Sequence, residues 1–257
     1  MDIPRRYNTE EDEAARRPVH VVWELTLACD LKCQHCGSRA GPRRRDELST
    51  AQCFELVRGL ARLGARHVTL IGGEAYLRKD WLEIIRAVRG EGMDCTLQTG
   101  GLHLTPERID QAAEAGLQAA GVSIDGLSAL HDRLRGVPGS YDAAFAALRH
   151  IHARGLGATA NTQITRPVVP ELRELWERLL DAGVTHWQVQ LTVAAGPAVE
   201  KVREGCREAR RAGPIDWRSI LGAADAAGLP LTKWDRIVFA AGCTETNVPG
   251  VQPLLKA

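Results

Sequence analysis

Long apolar runs are missing from this chain, and so is any imbalance of charge. No stretch approaches the ~18 consecutive apolar residues that a membrane-spanning helix needs, although 44% of the 257 residues are hydrophobic. Lys+Arg 33 against Asp+Glu 32 leaves a formal net charge of +1, so nothing global points to nucleic acid or to an anionic membrane as a partner. Basic stretches at Arg43-Arg44-Arg45 and at Arg207, Arg210 and Arg211 read as solvated surface. The first residues are charged, so no apolar signal segment opens the chain. Seven cysteines, an odd number, do not make an oxidised framework. A cytoplasmic protein is expected, in a reducing compartment that keeps its thiols free.

Cysteine is concentrated where it is present. Cys29-Asp30-Leu31-Lys32-Cys33-Gln34-His35-Cys36 packs three thiols into eight residues just after the first predicted strand. Chance would place such a triplet in roughly one in 200 chains of this cysteine content. Three thiolates with no fourth nearby can hold three irons of a [4Fe–4S] cubane and leave the fourth iron open to a ligand. Closely spaced cysteines beside a histidine such as His35 are also how structural zinc is held. That arrangement wants a fourth ligand from a second knuckle, and no second cysteine pair lies downstream. Cys53 falls in a helix stripe and Cys95 in a strand, so both read as core residues.

From residue 19 onward, short β-rich apolar runs alternate with amphipathic helical segments, the pattern of a parallel sheet built from βα units. Strands are predicted near Val19–Thr26, His67–Ile71, Cys95–Thr99, Ala119–Ile124, Ala158–Ile164 and His186–Val193. One helical stripe carries Cys53, Leu56, Val57, Leu60 and Leu63, and another Leu172, Leu175, Trp176, Leu179 and Leu180. Ser49 with Gln52 reads as a capping box, and Gly64, Gly92, Gly116, Gly155 and Gly183 each stand where a helix needs a left-handed residue to end it. With right-handed crossovers this series curls into a partial (β/α)6 TIM-like barrel spanning residues 19–195. Residues 1–18 read as a charged N-terminal arm, and 196–257 as a short irregular C-terminal extension containing a last strand near Arg236–Ala240. In such barrels chemistry sits at the C-terminal ends of the strands, where the cysteine loop falls.

With Cys29, Cys33 and Cys36 on the first βα loop and Gly72-Gly73-Glu74 ending strand two, the chain resembles the radical S-adenosylmethionine (radical SAM) enzymes. Val122-Ser123-Ile124-Asp125-Gly126, followed by His131-Asp132-Arg133-Leu134-Arg135-Gly136, is similar to the branch that matures ribosomal peptides and sulfatases. The resemblance implies that the three cysteines ligate a [4Fe–4S] cluster whose open iron is chelated by SAM. It implies that Gly72, Gly73 and Glu74 receive the SAM amino group, since glycines admit close backbone approach and a carboxylate suits a cation. Ser123 and Asp125 would bond the ribose hydroxyls, and Arg135 would pair with the SAM carboxylate. Gln98, Thr99, Asn161, Gln163, Gln188, Gln190 and Leu191 would line the barrel around SAM or substrate, Gln188 and Gln190 sharing one strand face.

The implied activity is reductive cleavage of SAM to a 5′-deoxyadenosyl radical that abstracts hydrogen from a precursor peptide, with an electron donor such as flavodoxin or ferredoxin. Members of this branch usually carry a cysteine-rich C-terminal extension, called SPASM, for auxiliary clusters. Here only Cys206 and Cys243 lie beyond residue 195, within a region whose Gly242-Cys243-Thr244 resembles the opening of that extension. Ala75 stands where a proline commonly follows the glutamate motif. The expectation is a one-cluster enzyme or a shortened SPASM-type member. A radical SAM activity on a small metabolite and a catalytically impaired cluster-binding protein remain as alternatives.

Overall fold

The computed structural model describes residues 8–191 and 239–240. Six parallel strands stand in sequential order: β1 (His20–Thr26), β2 (His67–Gly72), β3 (Asp94–Thr99), β4 (Ala119–Ser123), β5 (Gly157–Ile164) and β6 (His186–Leu191). A two-residue strand, β7 (Phe239–Ala240), adds to the β6 edge. The helices are α1 (Glu10–Ala14), α2 (Thr50–Arg62), α3 (Trp81–Gly90), α4 (Pro106–Glu114), α5 (Ser128–Arg135), α6 (Ser140–Ala153) and α7 (Leu172–Asp181). This is the partial (β/α)6 barrel that the alternation predicts, and all six strands lie where the sequence places them to within two residues. No helix among the described residues is long and apolar enough to cross a membrane.

Alternation along the strands gives the sheet two unlike faces. One carries Val68, Leu70, Cys95, Leu97, Ala120, Val122, Ala158, Ala160 and Val189, all buried beneath the helices with Ile84, Ile85, Leu148, Ile151, Leu175 and Leu179. Cys53 and Cys95 are fully buried in this core, as expected. Leu63 and Leu180, assigned to the same helix stripes, are instead exposed at 62% and 48%. Leu63 is the C-cap of α2, beyond the helical turns that carry the buried Cys53 and Val57. The capping box at Ser49 and Gln52 is present, and the five helix-ending glycines have φ between 76° and 101°.

The described part of the N-terminal arm, from residue 8, is more ordered than its composition implies. Thr9 and Asp12 form their own capping box on α1, and Asp12, 1% exposed, pairs with Arg66 at 2.8 Å just before β2. Charge alone obscures such a segment, because its one buried contact is polar.

Candidate functional site

The cysteine loop leaves β1 at the C-terminal end of the barrel and is tied down along its length. Cys29 N donates to Gly41 O and Gly41 N to Leu27 O, both at 2.9 Å, so the loop closes on itself as a short parallel bridge. Farther along, Lys32 N donates to Arg135 O and Gln34 N to Leu134 O, each 2.9 Å, docking the loop on the last turn of α5. Buried Glu47 accepts from Thr26 Oγ1 at 2.8 Å and from Leu27 N at 3.1 Å, fixing the return limb to the end of β1. Asp30 accepts from Tyr76 Oη at 2.9 Å and lies 2.7 Å from His103 Nδ1.

Cys29, Cys33 and Cys36 are free, half-buried thiols lining one cavity of about 590 Å³ with Lys32, Arg39 and Gly41. Burial pushes the Cys29 thiol up to about 12. Burial also raises Cys33, against the pull of the Arg135 guanidinium. Zinc holds its thiolates at ~2.3 Å, hence about 3.8 Å from one another around a tetrahedron. The three sulfurs here do not gather even within 4.8 Å; the one such ligand group among the described residues is Cys29, Asp30 and Glu74. Three sulfur donors on one loop, with no fourth cysteine beside them among the described residues, suit an iron–sulfur cluster with one open iron.

Gly72-Gly73-Glu74 faces this loop. A Cβ on Gly72 would stand 2.1 Å from Thr26 O, and one on Gly73 2.1 Å from Ala28 O. Gly73 N and Glu74 N donate to those same carbonyls at 2.8 and 2.7 Å. The glycines are therefore required by the backbone that delivers Cys29, whatever else they bind. Glu74 is 2% exposed; Oε2 accepts from Thr99 Oγ1 and Oε1 from Gly100 N at 2.6 Å. Burial pushes its carboxyl up to about 8. Gly100, which carries no role in the sequence reading, is also crowded, though by side chains and not backbone: its Cβ would meet Leu31 at 2.1 Å and Glu74 at 3.0 Å. The only sequence signal for it is the Gly100-Gly101 pair after β3.

At the end of β4, Ser123 is half-buried and open to the site, whereas Asp125 is completely buried. Asp125 Oδ2 lies 2.6 Å from Arg135 Nη2 and 3.0 Å from His35 Nε2, and Oδ1 accepts from Gln163 N at 2.8 Å. Burial alone would raise this carboxyl, but Arg135 and His35 hold it down to about 2. Arg135 Nη1 in turn donates to Cys33 Sγ at 3.6 Å. Asp125 N donates to His131 Nδ1 at 3.1 Å, and burial lowers that imidazole to about 4, so it stays neutral. His35 is thus a site residue whose partner no local pattern reveals, Asp125 lying ninety positions away.

The sheet face turned away from the helices is polar. His20 Nε2 contacts Thr69 Oγ1, Thr69 contacts Thr96, and Thr96 contacts His67 Nε2, all at 2.9–3.0 Å across β1 to β3. Nearer the mouth, Asn161 Nδ2 donates to Gln98 Oε1, and Gln163 Nε2 to Gln190 Oε1 at 2.6 Å. Gln188 shares the alternation of Gln190, and the Leu191 backbone pairs with Ile164. Gly121 leaves room for Gln98, whose amide would lie 2.2 Å from an added Cβ.

Fold and site together define a family. The chain matches the radical SAM superfamily over residues 23–181 and belongs to it, a superfamily whose chemistry uses a [4Fe–4S] cluster and SAM. It is 32% identical over 202 residues to the AdoMet-dependent heme synthase of Oleidesulfovibrio alaskensis, covering 78% of this chain and 51% of that protein. It is 36% identical over 159 residues to the mycofactocin maturase MftC of Mycobacterium tuberculosis, covering 61% of this chain and 40% of that one. Among solved structures it resembles Streptococcus suis SuiB bound to S-adenosylmethionine, with TM-score 0.72 and 17% identity over 91% of this chain and 53% of SuiB. The chain thus spans about half the length of these relatives or less.

Proposed function

We propose that this chain is a radical SAM enzyme of peptide-maturing type, in which Cys29, Cys33 and Cys36 hold a [4Fe–4S] cluster. The observation that carries the reading is three free, half-buried thiols lining one cavity, on a loop pressed against Gly72-Gly73-Glu74. Held by Cys29, Cys33 and Cys36, a cluster reduced by the electron donor would supply the one electron that cleaves SAM to methionine and a 5′-deoxyadenosyl radical able to take hydrogen from substrate. The chain's own residues bind and orient. Glu74, protonated while buried and unpartnered by a cation, loses its proton as it receives the SAM ammonium. Ser123 and Gln98 reach the nucleoside, and the β6 end at Leu191 bounds it. Asp125, fully enclosed, serves this site by fixing Arg135 and His35.

A peptide substrate is supported by the polar sheet face. Strands β1 to β6 contain no lysine or arginine, and their facing side chains at the mouth are amides: Gln98, Asn161, Gln163 and Gln190. Amides complement other amides, offering donor and acceptor together. A tetrapyrrole bearing several carboxylates would want cations on those strands, whereas Lys32 and Arg39, which line the cavity, stand on the cysteine loop. The kinship with heme synthases keeps that second reading in view. The full chain, reconstituted anaerobically with iron and sulfide, should bind about four irons and form 5′-deoxyadenosine from SAM under dithionite. A precursor peptide encoded beside it should then lose hydrogen to deoxyadenosine, and flavodoxin or ferredoxin should replace dithionite. Zinc in place of iron, or four irons without deoxyadenosine, would overturn the reading.

A further inference from the structure

We infer that Arg135 sets the reduction potential of the cluster by donating a charged hydrogen bond to the Cys33 sulfur, and that Asp125 and His35 are the positioning residues that hold it there. The inference rests on the cluster reading above. Arg135 is buried at 8% exposure, and its three nitrogens have different fates. Nη1 points to Cys33 Sγ at 3.6 Å, Nη2 to Asp125 at 2.6 Å, and Nε is buried without a hydrogen-bond partner. A buried guanidinium with one donor on a cysteine and another to spare is poorly explained as a structural ion pair alone.

The surroundings fix it in place. Asp125 takes Nη2 while its other oxygen is held by the Gln163 backbone and its shared oxygen by His35, the residue between two of the cysteines. The carbonyls of Leu134 and Arg135 accept from Gln34 and Lys32, so the end of α5 and the cysteine loop move as one piece. Gly136 permits that approach: its φ is 72°, and a Cβ would stand 2.5 Å from Lys32 O. Hydrogen bonds to the ligand sulfurs, together with net charge and exposure, set the potential of an iron–sulfur centre. A cation donating to Cys33 stabilises the more negative, reduced cluster, and so raises its potential. Asp125, sharing the guanidinium, keeps that charge buried without an unpaired cost.

The test is a redox titration of the reconstituted full chain, followed by EPR, beside iron content. Arg135→Gln should keep the wild-type iron content and shift the midpoint to more negative potential, with Arg135→Lys, which retains charge but not the fork, falling between. Full iron with an unchanged or raised midpoint in Arg135→Gln overturns the inference. If Arg135→Gln fails to hold iron, Arg135→Lys decides: full iron with a lowered midpoint supports the inference, and full iron with the wild-type midpoint overturns it. A wild-type chain that takes up no iron would overturn the cluster reading itself, and this inference with it.

Discussion

At the scale of single residues, the cysteines separate cleanly into two environments. Cys33 lines the cavity and receives the Arg135 hydrogen bond, whereas Cys53 is sealed beneath α2 against the sheet. Cys33→Ala should therefore abolish the four-iron signal and SAM cleavage, and Cys53→Ala should leave both, at a stability cost of about 1 kcal/mol for a small buried side chain. Iron analysis and denaturant melts of the two variants check this; a normal cluster in the Cys33 variant would remove the ligand assignment. Glu74 gives a pH signature. Its folded pKa is raised to about 8 by burial, above the ~4.3 of an exposed glutamate, so between these values the folded state binds more protons than the unfolded one. Stability of the ligand-free chain must then fall as pH rises from about 5 to 8. Glu74→Gln should flatten that part of the profile of melting temperature against pH, and an unaltered slope would show that the carboxyl is already ionised in the fold.

At the scale of elements, the six strands were legible because each is short and β-rich, and the first five are each followed by helical chain that ends in a glycine stop, so local pattern and tertiary structure agree. Helix α5 was not, although it carries Arg135. Its N-cap is Leu127, which has no side chain to cap with; Glu171 supplies the acceptor instead, 2.6 Å from Leu127 N and 44 residues away in sequence. Such a cap is invisible to any local rule. The turn after β2 shows the opposite limit: Gly72-Gly73 is visible in the sequence, but its purpose is not. The backbone contact with Ala28 and Leu27 means that Gly73→Ala must push β2 away from the base of the cysteine loop. It should cost about 2–3 kcal/mol, as overpacking does, and lower iron uptake. By contrast Ser49→Ala, which removes the α2 cap, should cost about 1 kcal/mol and leave iron uptake unchanged. Equal iron loading in both variants would show that the glycine turn does not shape the loop.

Across the whole molecule, the sheet divides two tasks between its faces. The outer face is apolar and makes the core with the helices; the inner face carries hydroxyls, imidazoles and amides and contributes little to that core. The sequence shows this in the alternation of β5, whose Thr159, Asn161 and Gln163 are half-buried between buried Ala158, Ala160, Thr162 and Ile164. It also placed the cysteines, the glycine-glutamate turn and Ser123 at one end of the barrel. It did not show that Asp125 and Arg135 are spent on each other and on Cys33, because that pairing depends on where α5 ends relative to the loop after β1. The division of faces separates stability from substrate handling, which gives a sharp expectation for Gln163. Among the described residues its side-chain amide bonds to Gln190 on the inner face, so Gln163→Leu should leave the melting temperature and iron content near wild type. If the amides hold substrate, loss of one hydrogen bond of about 1.4 kcal/mol should reduce substrate-dependent hydrogen transfer about tenfold while dithionite-driven SAM cleavage without substrate persists. A variant that turns over substrate normally would assign the inner face to packing and move substrate recognition elsewhere in the chain.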